Sequence, residues 1–124
     1  MLYEDTTERI IGAALNVHSA LGPGLLESTY HTCLQHEFAT VGLHFEHQVR
    51  LPIVYRDVHL DGGYRLDFFV ESSVIVELKA VEKLLPVHLA QVLSYLKLTG
   101  CKVGLLINFN VVHLRSGIRR VVNG

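Results

Sequence analysis

Arg65-Leu66-Asp67-Phe68-Phe69-Val70 and Val74-Ile75-Val76-Glu77-Leu78-Lys79, parted by Glu71-Ser72-Ser73, decide how this chain is read. β-Branched and aromatic residues dominate both runs, which favours strands, and the polar residues between them fit a short hairpin loop. If Val70 and Val74 close that loop as partners, the register sets Phe68 opposite Val76 and Asp67 opposite Glu77. Directly opposed residues of an antiparallel pair point to one face, with Cβ atoms roughly 5 Å apart. Lys79, two residues beyond Glu77, shares that face. Like charges so placed are unfavourable unless something positive lies between them, and a divalent cation with oxygen ligands is the natural candidate. The plainer alternative is a wet hairpin face on which Arg65, Asp67, Glu77 and Lys79 neutralise one another. Phe69 and Ile75 on the same face, and apolar residues on the other, point instead to a pair buried in a domain. Carboxylates there need a partner or a function.

At 124 residues the expectation is one domain, spanning 1–124, with a real core. The apolar fraction is 49% and mean hydropathy is +0.31, high enough to predict some surface covered by a second subunit in a homodimer. Formal net charge is −1, so the composition carries no basic signature of tight non-specific DNA binding. A bound cation would change that balance locally. Cys33 and Cys101 lack CxxC spacing and read as reduced, packed thiols. The acidic start MLYEDTTERI has no secretory pattern, and apolar runs such as Val103-Gly104-Leu105-Leu106-Ile107 are too short to span a bilayer. The expectation is a cytoplasmic protein with no membrane partner. Neither His31 with His36 nor His44 with His47 has zinc-ligand company, so most histidines read as structural.

Thr6 or Thr7 is expected to cap a first helix carrying Ile10, Ile11, Ala14 and Leu15, with Val17 or His18, at helical spacing. Leu21-Gly22-Pro23-Gly24 breaks it. A second helix is predicted from about Leu26 to Val41, ended by Gly42, with Leu26, Tyr30, Cys33, Leu34 and Phe38 as its apolar stripe. A strand-rich half follows: Phe45 to Val54 with an interruption at Pro52, an edge or turn at Tyr55-Arg56-Asp57-Val58, and Asp61-Gly62-Gly63 leading into the hairpin. Pro86 opens a helix to about Thr99, terminated by Gly100, with Leu89, Val92, Leu93 and Leu96 as its main apolar side and His88, Gln91 and Tyr95 on another. Cys101 to Asn108 reads as a strand, and Val111 to Val122 as a last strand or hairpin arm bearing Arg115, Arg119 and Arg120. The order helix, helix, three or four strands, helix, strand describes an α/β sandwich with a mixed central sheet flanked by helices.

Gly24-Leu25-Leu26-Glu27-Ser28-Thr29-Tyr30 matches GxxExxY, the signature naming a family of small bacterial proteins, and the chain resembles that family. The family is similar to the PD-(D/E)xK nuclease superfamily on pieces all present here. Asp67 matches the first acidic position, Glu77-Leu78-Lys79 matches ExK, and Gln91-Val92-Leu93-Ser94-Tyr95 matches the helical QxxxY of RecB-like nucleases. Glu27 resembles the acidic residue those nucleases carry on a helix before the sheet. Leu66 stands where many members have the proline of PD. The resemblance runs from roughly Glu4 to Val122.

It implies a restriction-endonuclease-like sandwich and Mg²⁺- or Mn²⁺-dependent hydrolysis of nucleic acid, DNA before RNA. By the same similarity, Asp67, Glu77 and the backbone carbonyl of Leu78 would bind the metal, with Glu27 binding it directly or through water, or holding a second ion. Lys79 would orient or deprotonate the attacking water, or stabilise the transition state. Gln91 and Tyr95 would position a metal water or the substrate phosphate. Structural roles stand beside these: Gln91 and Tyr95 as partners of the sheet edge, Glu27 as a first-turn residue favoured by the helix dipole, Tyr30 as core. The alternative function is a catalytically inactive module of this fold that binds nucleic acid or a protein partner.

Overall fold

The computed structural model describes residues 2–124. Helix α1, Glu4–Leu21, buries Ile10, Ala13, Ala14 and Val17 at helical spacing. It begins ahead of the threonines expected to cap it: Tyr3 is the N-cap, and Thr7 lies buried within the first turns, its Oγ1 donating to the Glu4 carbonyl. Gly22, at φ +71°, ends the helix, and its N–H donates to the His18 carbonyl. Helix α2, Glu27–Thr40, follows at once and buries Tyr30, Leu34 and Phe38. Leu26 does not join that stripe. It is the N-cap and is 74% exposed.

The sequence supplies more strands than its pattern suggested. β1 (Phe45–Arg50), β4 (Arg65–Val70), β5 (Val74–Lys79), β6 (Val103–Asn108) and β7 (Ile118–Val122) form one sheet in the order β1-β4-β5-β6-β7. β2 (Ile53–Tyr55) and β3 (Val58–Leu60) pair as a separate two-stranded ribbon between β1 and β4. β5 and β6 are parallel and the other neighbours antiparallel, so the sheet is mixed. Helix α3, Pro86–Thr99, is the crossover the parallel pair requires. It starts at Pro86 and stops at Gly100, φ +76°, as the sequence predicts. The stretch after β6 is less regular than a hairpin arm: a 3₁₀ turn over Leu114–Gly117 precedes β7.

Two cores result, one on each sheet face. α1 and α2 pack on the face carrying Phe68, Val70, Val76, Leu78, Leu105 and Ile107. α3 covers the other through Tyr95 and Leu96 against Ile75, Leu66 and Leu51. β6, buried along its whole length, lies inside this α/β/α sandwich between β5 and β7. The helices therefore lie on both faces of a mixed sheet, the architecture expected of a restriction-endonuclease-like fold. No helix among the described residues is long and apolar enough to cross a membrane.

Candidate functional site

The hairpin closes as its sequence dictates: Val70 pairs with Val74, Phe69 with Ile75 and Phe68 with Val76. The next rung would set Asp67 against Glu77, and there the ladder stops. The strands part, and each carboxylate reaches the main chain of the other strand. Glu77 Oε1 accepts from the Asp67 N–H at 3.0 Å, and Asp67 Oδ2 accepts from the Leu78 N–H at 2.8 Å. The two acids thus bridge a fork instead of facing each other across an ordinary rung. N–H and C=O of one strand residue point to the same edge, so the Leu78 carbonyl is directed into this fork as well.

The neighbouring strand pair is disturbed at the same level. β1 and β4 hold a constant register from Phe45↔Val70 to Arg50↔Arg65, yet Gln48 and Asp67 form no pair within it. Gln48 adopts φ +52°, uncommon for a non-glycine residue. Across this rung the sheet-face alternation breaks: Phe68 joins the α1–α2 core whereas Leu66 and Val49 join the α3 core. Asp67 sits at the switch, which aims its carboxylate along the sheet into the fork. Backbone strain of this kind concentrates at functional sites.

Glu77 is 5% exposed. Burial and the adjacent Asp67 carboxylate push its pKa up to about 9, against a smaller opposing pull from Lys79. Glu27, at the start of α2, is raised by the protein crowding its carboxyl and then by Asp67, while Lys79 pulls it down. Lys79 therefore lies within electrostatic reach of both glutamates, half-buried, and forms no ion pair among the described residues. On the other face Tyr95 is nearly buried, and its hydroxyl is raised by burial and by Glu77; the Gln91 amide acts the opposite way. The residues picked from sequence, Glu27, Asp67, Glu77, Leu78, Lys79, Gln91 and Tyr95, are drawn from α2, β4, β5 and α3 to one end of the sheet.

Tyr30 has a different part from Glu27, its motif partner. Fully buried, it stacks on Phe109 at 4.6 Å between ring centroids. Its hydroxyl donates to the Gly22 carbonyl and accepts from the Leu25 N–H. It locks the glycine-rich turn to α2 and so fixes where Glu27 emerges. The arginines of the last segment do not reach the fork. Arg119 donates to the carbonyls of Ser116 and Ile118, and Arg120 to Leu2 and Thr7, so they tie down main chain and α1.

Two neighbours escaped the sequence reading. His31, one helical turn after Glu27, lines a groove of about 310 Å³ with Glu27, Gln48 and Asp67. Its ring stacks on Phe68 at 4.4 Å, and its Nε2 is buried without a hydrogen-bond partner. Burial lowers its pKa, Asp67 opposes this, and His47 adds to it. The i, i+4 spacing from Glu27 was the available signal. Asn108, 1% exposed, is Lys79's partner in the β5–β6 register. Its side chain accepts from the N–H groups of Val81 and Asn110 and donates to the Val81 carbonyl. It thereby holds the chain just beyond Lys79. A polar residue closing an otherwise apolar run was its signal.

The donors at the fork suit a hard cation. Each acid gives an oxygen to a main-chain N–H of the other strand, and Glu77 is buried beside a second carboxylate with no ion-pair partner among the described residues. Among the described residues no three His, Cys, Asp or Glu side chains converge as a ready-made cage. Carboxylate and carbonyl oxygens are the donors that hard divalent cations take. Against known protein families, residues 4–121 match the PD-(D/E)XK nuclease superfamily. No curated protein and no solved structure matches the chain significantly. The match covers nearly the whole chain and agrees with the mixed sheet and the acidic fork: this protein belongs to the PD-(D/E)XK nuclease superfamily.

Proposed function

We propose that this chain is a metal-dependent nuclease hydrolysing phosphodiester bonds of DNA. In this reading it is a single domain over residues 1–124, a cytoplasmic GxxExxY-type member with the RecB-like QxxxY helix. The observation that carries the proposal is the fork itself, where the buried Glu77 and the part-buried Asp67 converge with Lys79 within electrostatic reach. Asp67 and Glu77 would hold Mg²⁺ or Mn²⁺ through their carboxylate oxygens and Leu78 through its carbonyl, with Glu27 contributing through water. When bound, the ion supplies Lewis-acid polarisation of the phosphate and acidifies water. Lys79 would orient the attacking water and offset charge building on the phosphoryl oxygens. Gln91 would hydrogen-bond a phosphate oxygen, and Tyr95 would hold Gln91 and the Glu77 side of the fork in place.

One observation favours a second reading. Because both carboxylates already accept main-chain N–H groups, they staple the fork without metal, as an inactive binding module would require.

Calorimetric titration with Mn²⁺ separates the two. The nuclease reading expects a site in the wild type that is lost in Asp67→Ala and retained in Lys79→Ala. Lys79→Ala should lower cleavage of DNA by about a hundredfold or more, because the lysine acts on the water and the transition state. EDTA should abolish the activity. A folded wild type that neither binds Mn²⁺ nor cleaves single- or double-stranded DNA or RNA would leave the binding module.

A further inference from the structure

The β2–β3 ribbon has no role in holding the sheet together. It leaves the sheet where β1 ends at Arg50 and β4 begins at Arg65, and a bond from the Leu51 N–H to the Tyr64 carbonyl closes its base at 2.8 Å. β4 and β5 are antiparallel, so the start of β4 and the end of β5 lie at one end of the sheet. The ribbon therefore issues from the end that carries Asp67, Glu77 and Lys79.

Its surface is unlike that of a solvated hairpin. All of β3 is exposed, and so are Val54 and Tyr55 on β2. An isolated two-stranded ribbon gains little stability by itself, so apolar side chains left in water on it call for an occupant. Tyr55 is 62% exposed, with the Arg56 guanidinium 5.5 Å from its ring centre. Tyr64, at the base, is 47% exposed, and its hydroxyl is near enough to that of Tyr95 to help raise it. Exposed aromatic rings thus stand on the ribbon at Tyr55 and at its base at Tyr64, the latter close to the Tyr95 side of the fork.

The charge of the stretch selects the occupant. Arg50, Arg56 and Arg65 against Asp57 and Asp61 leave residues 50–65 net positive in a chain of net charge −1. Asp61 is taken by Arg50, while Arg56 and Arg65 form no ion pair among the described residues. Such modest positive charge suits poorly a surface that tracks duplex phosphates. It suits well a platform on which bases stack and a few cations meet the backbone. A second copy of the chain would bring like-charged ribbons together across a two-fold axis.

We infer that the β2–β3 ribbon with Tyr64 is a stacking platform for single-stranded nucleic acid, which delivers the strand to the fork. This rests on the nuclease reading for its purpose, though not for its test. The probe is a fluorescently labelled oligothymidylate of about twenty nucleotides, long enough for a site of this class. Polarisation is measured with Lys79→Ala protein, so that cleavage does not intervene, and again with an unlabelled duplex as competitor. Tyr55→Ala and Tyr64→Ala are each expected to weaken binding about tenfold, one stacked base's worth. Tyr55→Phe and Tyr64→Phe should hold affinity within about twofold, since the ring stacks and the hydroxyl does not. Both positions are exposed, and unchanged circular dichroism and melting would show the fold intact. Unchanged affinity in the alanine variants, stronger competition by duplex than by single strand, or a ribbon-dependent dimer in sedimentation would overturn the inference. Strand binding that needs the ribbon in a protein that cleaves nothing would sink the nuclease reading and leave the platform standing. Cleavage indifferent to Tyr55 and Tyr64 would do the reverse.

Discussion

Glu77 shows how one buried group sets both chemistry and stability. Its pKa is raised from 4.5 to about 9, chiefly by burial and then by Asp67. The native state therefore keeps a proton that the unfolded chain releases. Its stabilising effect is complete below the unfolded pKa and is lost as pH climbs toward 9. His31, shifted downward, opposes this trend below its ordinary value of 6.5, so the clean window lies between pH 7 and 9. In EDTA the wild type should lose on the order of 2 kcal/mol across that window, read from denaturant melts at each pH. Glu77→Gln keeps an acceptor for the Asp67 N–H and should flatten the slope. A slope equal in wild type and variant would show that the proton sits elsewhere. Sequence spacing alone made Asp67 and Glu77 a pair. That each would cap the opposite strand was invisible, because where a ladder ends depends on the next strand, here β1 with its twisted rung at Gln48.

Helix α3 brings Gln91 and Tyr95 to the site by lying close on β6, and Gly104 permits that approach. A Cβ there would meet Val92 Cγ1 at 2.8 Å, with the Ile75 carbonyl at 3.4 Å and Leu96 Cδ2 at 3.5 Å behind it. Gly104→Ala should cost about 1–3 kcal/mol in denaturant melts, as overpacking does. It should also lower cleavage while Mn²⁺ affinity at Asp67 and Glu77 holds, because α3 carries no metal donor. Loss of metal affinity in step with activity would mean that the helix supports the fork directly. The ends of α3 were legible from Pro86 and Gly100, which act locally. The short β2 and β3 were not: three-residue strands give no periodicity, and their pairing is a tertiary event.

At the scale of the whole molecule, large apolar side chains stay in water away from the ribbon as well: Leu26 is 74% exposed, Val87 65% and Val112 78%. With 49% apolar composition, this motivates the proposal that the protein is a homodimer. Sedimentation at about tens of micromolar, where a stable interface holds, should then show twice the 13.9 kDa of one chain. A single 13.9 kDa species across that range would leave those residues without a subunit partner. By itself the sequence determined the hairpin and its register, the helix boundaries set by Gly and Pro, and the α/β class. These follow from local conformational preference and from periodicity, which short stretches of chain express unaided. The tertiary structure alone decided the fork, the face switch at Asp67, the raised Glu77, and the places of His31 and Asn108. Each of those depends on the desolvation and charge that distant segments impose on one another once packed, and no spacing along the chain records that.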